Sequence, residues 1–97
     1  MTSNHKLSAL LKGRAVTTVA FEDVQLSVTF SDGSLMTVQT NGDATGGIPG
    51  ATVQAVRQAD TTLVLDFEDG TTMQIITAEA TSCVMVRDRS HVLEYAD

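Results

Sequence analysis

Three groups of side chains carry reactive types at suggestive spacings. Cys83 and His91 stand eight residues apart and have the identities of a nucleophile and its base. Asp23 with Asp60, and Asp32 with Asp69, form two carboxylate pairs of equal separation, the material of an acid–base set or a metal cage. Arg87, Arg89 and His91 alternate along the chain. Alternate residues of a strand share a face, so these three would grip an anion together.

Each group also has a plainer account. Cys83 opens the run Cys83-Val84-Met85-Val86, whereas a reactive thiol needs an electropositive, partly exposed setting. A buried, inert thiol is expected instead. All four aspartates fall at expected turns, where Asp is favoured because its side chain bonds the local backbone. No Asp-x-Asp-x-Asp-Gly calcium loop is present. Asp88 and Glu94 interrupt the basic group, which suits a solvated hairpin end. No catalytic residue, metal or cofactor is therefore expected, and Arg87, Arg89 and His91 mark the place for any anion or acidic partner. An enzyme using Cys83 and His91, or the paired aspartates, is the weaker reading.

Composition narrows the partners. Twelve acidic residues against six basic ones leave a formal charge of −6. Nucleic acid and anionic lipid both demand a basic footprint that this chain lacks. One cysteine permits neither an intramolecular disulfide nor a cysteine metal cluster. The first residues lack the apolar core of a signal peptide, and no apolar run approaches the ~20 residues of a membrane helix. A cytoplasmic protein is the expectation. Aromatics are confined to Phe21, Phe30, Phe67 and Tyr95, so the core must be aliphatic.

The elements that position these groups are set by a repeat. Phe30-Ser31-Asp32-Gly33 returns 37 positions later as Phe67-Glu68-Asp69-Gly70. The same offset places Val16 on Val53, Val19 on Val56, Leu26 on Leu63, Met36 on Met73 and Thr40 on Thr77. An ungapped match of this length reads as an internal duplication. Alternation around each Asp-Gly pair predicts hairpins, with Asp32, Gly33, Asp69 and Gly70 as turn residues that tolerate positive φ. Three strands per copy follow, a meander over 14–40 and another over 52–78. Val16 and Val19, like Val53 and Val56, are three apart and cannot share one face of a regular strand. A bulge in the first strand of each copy is expected, and the two meanders should be related by an approximate two-fold axis.

Leu7, Leu10 and Leu11 recur at helical spacing and predict a short helix over 3–12, opened by Ser3 or Asn4 and closed by Gly13. The Gly-rich stretch 41–51 reads as a connector without regular structure; it lacks a Gly-Lys-Ser/Thr ending and a following helix, so a phosphate loop is disfavoured. Residues 82–95 predict a C-terminal hairpin. Apolar residues on both faces of its first strand suggest cover on both sides, which makes Val84, Val86 and Leu93 the expected contact surface.

The expected fold is a single, mainly β domain: two meanders forming a small sandwich or partly open barrel, with the helix at the N-terminus or lying across one sheet face. Open strand edges need cover, and a two-fold homodimer or another protein partner would supply it. The leading expectation is a non-enzymatic interaction or assembly module. A cavity between the meanders for a small apolar or anionic ligand is the alternative.

Overall fold

Each copy begins with a strand that bulges. In the computed structural model, which describes residues 2–3, 5–22, 24–46, 50–79 and 83–96, β2 (Val16–Glu22) pairs antiparallel with β3 (Gln25–Phe30). Their register shifts between Val16 and Thr18. In the second copy β5 (Val53–Ala59) pairs with β6 (Thr62–Phe67), and the shift falls between Val53 and Ala55, 37 positions on. The bulge lets Val53 and Val56 both enter the core in spite of their odd spacing, while Val16 is buried and Val19 packs against the core from its rim.

The two Asp-Gly hairpins close as three-residue loops. Phe30 N–H donates to Ser34 O, and Gly33 N–H to Phe30 O; Phe67, Thr71 and Gly70 repeat both bonds. Only the glycines hold positive φ, 88° at Gly33 and 87° at Gly70. The aspartates stay on the ordinary side, because a three-residue loop needs one left-handed residue where a two-residue turn needs two.

β4 (Leu35–Gly46) corrects the expected connector. Its first part pairs with β3, and its second part, through Gly46, pairs with β7 (Thr72–Thr77). Ala44, Thr45 and Gly46 lie opposite Ile75, Gln74 and Met73, and a register shift between Thr40 and Ala44 absorbs the turn-like Asn41–Asp43. The pairing offered by β7 overrides the poor strand propensity of Asn, Gly and Asp. Of the rest of the predicted connector, 47–49 lie outside the described residues, and Gly50 and Ala51 belong to no strand.

With β1 at Thr2–Ser3, the order β1-β5-β6-β7-β4-β3-β2 makes one antiparallel sheet that is not closed into a barrel. Its two ends meet at one point only. Ala15 bridges Thr52, and four backbone bonds stitch the seam: Gly13 N–H to Val53 O, Val16 N–H to Ala51 O, Gly50 N–H to Val16 O and Val53 N–H to Arg14 O. Gly13 and Gly50, again 37 apart, both take positive φ here. Ala15 and Thr52 are counterparts, as are Thr40 and Thr77, which also pair with each other. Antiparallel pairing of a residue with its own counterpart is the mark of a local two-fold axis, and both buried threonines sit on it.

The symmetry breaks at the chain ends. The helix α1 spans His5–Leu11 rather than 3–12, because Thr2–Ser3 is extended as β1 and pairs with Gln58 and Arg57 of β5. Leu7 and Leu11 are fully buried in the core, which gives this short helix the packing it needs. Asn4, a predicted cap, lies outside the described residues. At the other end β8 (Val84–Arg87) joins the free side of β4 and carries β9 (Leu93–Ala96). Val84 and Val86 are buried but Met85 is exposed, so β8 is covered on one face, not both.

Candidate functional site

The residues with candidate chemistry are held apart. Cys83 is buried before β8, accepting from Glu79 N–H at 3.2 Å and lying 3.4 Å from Glu79 O. His91 follows β8, about 13 Å of strand away at ~3.3 Å per residue. Asp32 and Asp69 each serve their own hairpin. Asp32 accepts from the Ser34 amide and hydroxyl, and Asp69 from the Thr71 amide and hydroxyl. Burial works to raise Asp32, but the Ser34 bonds and the Arg14 charge outweigh it and hold the carboxyl below its ordinary value. The Thr71 hydroxyl and amide lower Asp69. Asp60 occupies a turn at φ 49°, and Asp23 lies outside the described residues. Among the described residues no three His, Cys, Asp or Glu side chains come together as a metal set.

Arg87, Arg89 and His91 do not share a strand face, since the strand ends at Arg87. The loop that follows closes with Asp88 N–H to Val92 O and His91 N–H to Asp88 O, and His91 sits at φ 65° where the two Asp-Gly hairpins have glycine. Arg87 donates to His91 O at 3.2 Å and reaches Met85 Sδ at 3.3 Å. Arg89 backs onto Gly33. Of the expected contact residues, Val84 and Val86 point into the chain's own core, and Leu93 is on the surface. Arg14, which sequence reasoning passed over, is the better-placed cation. Its guanidinium meets Glu94 at 3.2 and 3.3 Å and Asp32 at 3.4 Å, tying the first turn to β9.

Strand edges supply the remaining candidate. The outer edge of β5 is covered: β1 pairs with Arg57 and Gln58, and the Ser8 hydroxyl accepts from Val56 N–H at 2.7 Å and donates to Val56 O at 3.0 Å. The outer edge of β2 is its counterpart, Val19 standing where Val56 stands. Among the described residues β2 has β3 on one side and no strand on the other along Thr18–Glu22. Among the described residues no second arm covers it, because Thr45, the counterpart of Ser8, is used in β4 opposite Gln74. Val56 shows which way the polar groups aim: Val19 and, by alternation, Phe21 direct N–H and C=O outward, while Thr18, Ala20 and Glu22 face β3.

The bulge at Val16–Thr18 and the charge of Glu22 guard only the two ends of this edge. Residues 17–21 contain no charge and no proline. Phe21 is 46% exposed and Val24, at the adjoining turn, 58%. Of the other free edges among the described residues, β1 is two residues long, and β9 is four residues long and clipped by the Arg14–Glu94 pair. A signal for the β2 edge was present in the repeat, since Phe21 stands where the second copy has Gln58. No protein-family model, curated protein or solved structure matches the chain.

Proposed function

We propose that this protein is a small interaction module that engages its partner by strand addition along β2. One observation carries the reading: two edges equivalent by the internal repeat are treated differently, β5 sealed by β1 and Ser8, β2 left open with Phe21 exposed beside it. An unguarded run of outward N–H and C=O groups is a template for another strand, with main-chain bonds supplying affinity and alternate side chains selectivity. Asp32, Asp69 and the Cys83 thiol already have structural work within the chain, which favours binding over catalysis. The acidic surface and the lack of a basic stripe favour a protein partner over nucleic acid.

A photo-crosslinking residue at Phe21 tests this in the cells that make the protein, with Leu93 as the comparison site. Adducts at Phe21 and none at Leu93 support the reading. Adducts at Leu93 alone would move the contact surface to the C-terminal hairpin and overturn it.

A further inference from the structure

We infer that the strand added to β2 is β2 of a second copy, in antiparallel register about Ala20. This rests on the reading of β2 as the docking edge and names its occupant. Outward N–H and C=O groups belong to Val19 and Phe21, so a self-paired ladder must set one against the other or each against itself. Centring on Val19 would draw in Thr17, which lies in the bulge between Val16 and Thr18 and whose hydroxyl is bonded to Thr29 O. Centring on Phe21 would set Val19 opposite position 23, past the end of β2 at Glu22, whereas centring on Ala20 uses only the regular run Thr18–Glu22.

That register places Val19 opposite Phe21 of the second copy, twice, with four main-chain hydrogen bonds. It joins an aromatic to a β-branched side chain on the core-facing side, a favourable cross-strand combination, and covers the exposed Phe21 ring. Ala20 falls on the axis, opposite itself in a non-hydrogen-bonded pair where Cα atoms approach to about 4.5 Å and small side chains fit. Thr18 meets Glu22, the one charge on the strand. The two Glu22 carboxylates stand four residues apart along the ladder, about 14 Å, beyond the ~8 Å screening length at physiological salt. A chain of net charge −6 therefore meets its copy across a strip whose only charges, the two Glu22 carboxylates, lie at its opposite ends. The pairing is isologous and closed, so it stops at two.

Light scattering after size exclusion over a concentration series, with the full chain, tests the register through Ala20→Lys and Thr18→Lys. Both place one lysine on an exposed edge position. Ala20→Lys sets like charges face to face on the axis, whereas Thr18→Lys faces Glu22 of the other copy. Wild type and Thr18→Lys should run near twice the 10.3 kDa of the single chain, with dimer affinity for Ala20→Lys reduced at least about tenfold. Unchanged circular dichroism in both variants secures the comparison. An Ala20→Lys variant that dimerises as tightly as wild type, or loss of dimer in Thr18→Lys alone, overturns the inference. If wild type stays at single-chain mass, amide exchange at Val19 and Phe21 separates two failures. Free exchange removes the second copy but leaves the edge open to another partner; protection means the chain covers its own edge, and both readings fall.

Discussion

Replacing Ser8 by alanine isolates the contact that seals β5. The hydroxyl serves Val56 twice, accepting from its N–H at 2.7 Å and donating to its C=O at 3.0 Å, beside a side chain that is fully buried. Alanine is the better helix former by about 0.5 kcal/mol, so propensity alone predicts a slightly more stable protein. Against this, a half-buried Val56 N–H left without a partner costs about 1–3 kcal/mol. The bond outweighs the propensity, and a net loss of about 1–2 kcal/mol is expected. For a domain of this size that lowers the melting temperature by roughly 4–16 °C, at 4–8 °C per kcal/mol. Calorimetry gives the global loss, and hydrogen exchange should show the Val56 amide exchanging roughly five- to thirtyfold faster, since each 1.4 kcal/mol is tenfold in an equilibrium constant. A variant as stable as wild type with an unchanged Val56 amide would refute the reasoning and deny Ser8 its role as an edge cover.

Matched substitutions at positions 37 apart test the internal two-fold. Val16→Ala and Val53→Ala, both at sites with 0% exposure, should each cost about 2 kcal/mol and agree within about 0.5 in urea unfolding. Gly33→Ala and Gly70→Ala should differ. Both force a left-handed side chain at a cost of about 1 kcal/mol, but a Cβ at Gly33 would stand 2.8 Å from Arg89 Cβ while Gly70 faces open space; the Gly33 variant should be less stable by at least about another 1 kcal/mol. Acid should weaken the fold through Asp32 and Asp69. Both are held below their ordinary values, so their contribution is complete above the unfolded carboxylate pKa near 3.9 and is lost as pH falls through the lower folded values. Urea midpoints between neutral pH and about pH 2 should fall more in wild type than in Asp32→Asn/Asp69→Asn.

The two meanders were legible because local signals and long-range pairing agree there. Alternation around Phe30 and Phe67, the Asp-Gly turns and the misfit of Val16 with Val19 all report backbone geometry within one hairpin. Residues 41–46 defeated the same logic, since their strand state comes from Ile75, Gln74 and Met73 across the sheet and not from their own propensities. Likewise Thr2–Ser3 reads as a helix start until Arg57 and Gln58 draw it out straight. The open edge was the least legible of all. Nothing in Thr17-Thr18-Val19-Ala20-Phe21 states that its outer side is bare; that depends on Ser8 covering Val56 and on Thr45, its counterpart, being used elsewhere.

Joining two like halves in one polypeptide also alters what a substitution can do. Between separate identical chains every change appears on both sides of the axis, so a residue useful on one flank must be tolerated on the other. Here Arg14 grips Glu94 while its counterpart, Ala51, is buried and apolar, and Phe21 projects where Gln58 pairs with Thr2. A tether holds the halves at an effective concentration in the millimolar range. The β4–β7 ladder and a seam of four backbone bonds can then suffice, and the flanks are released from having to resemble each other.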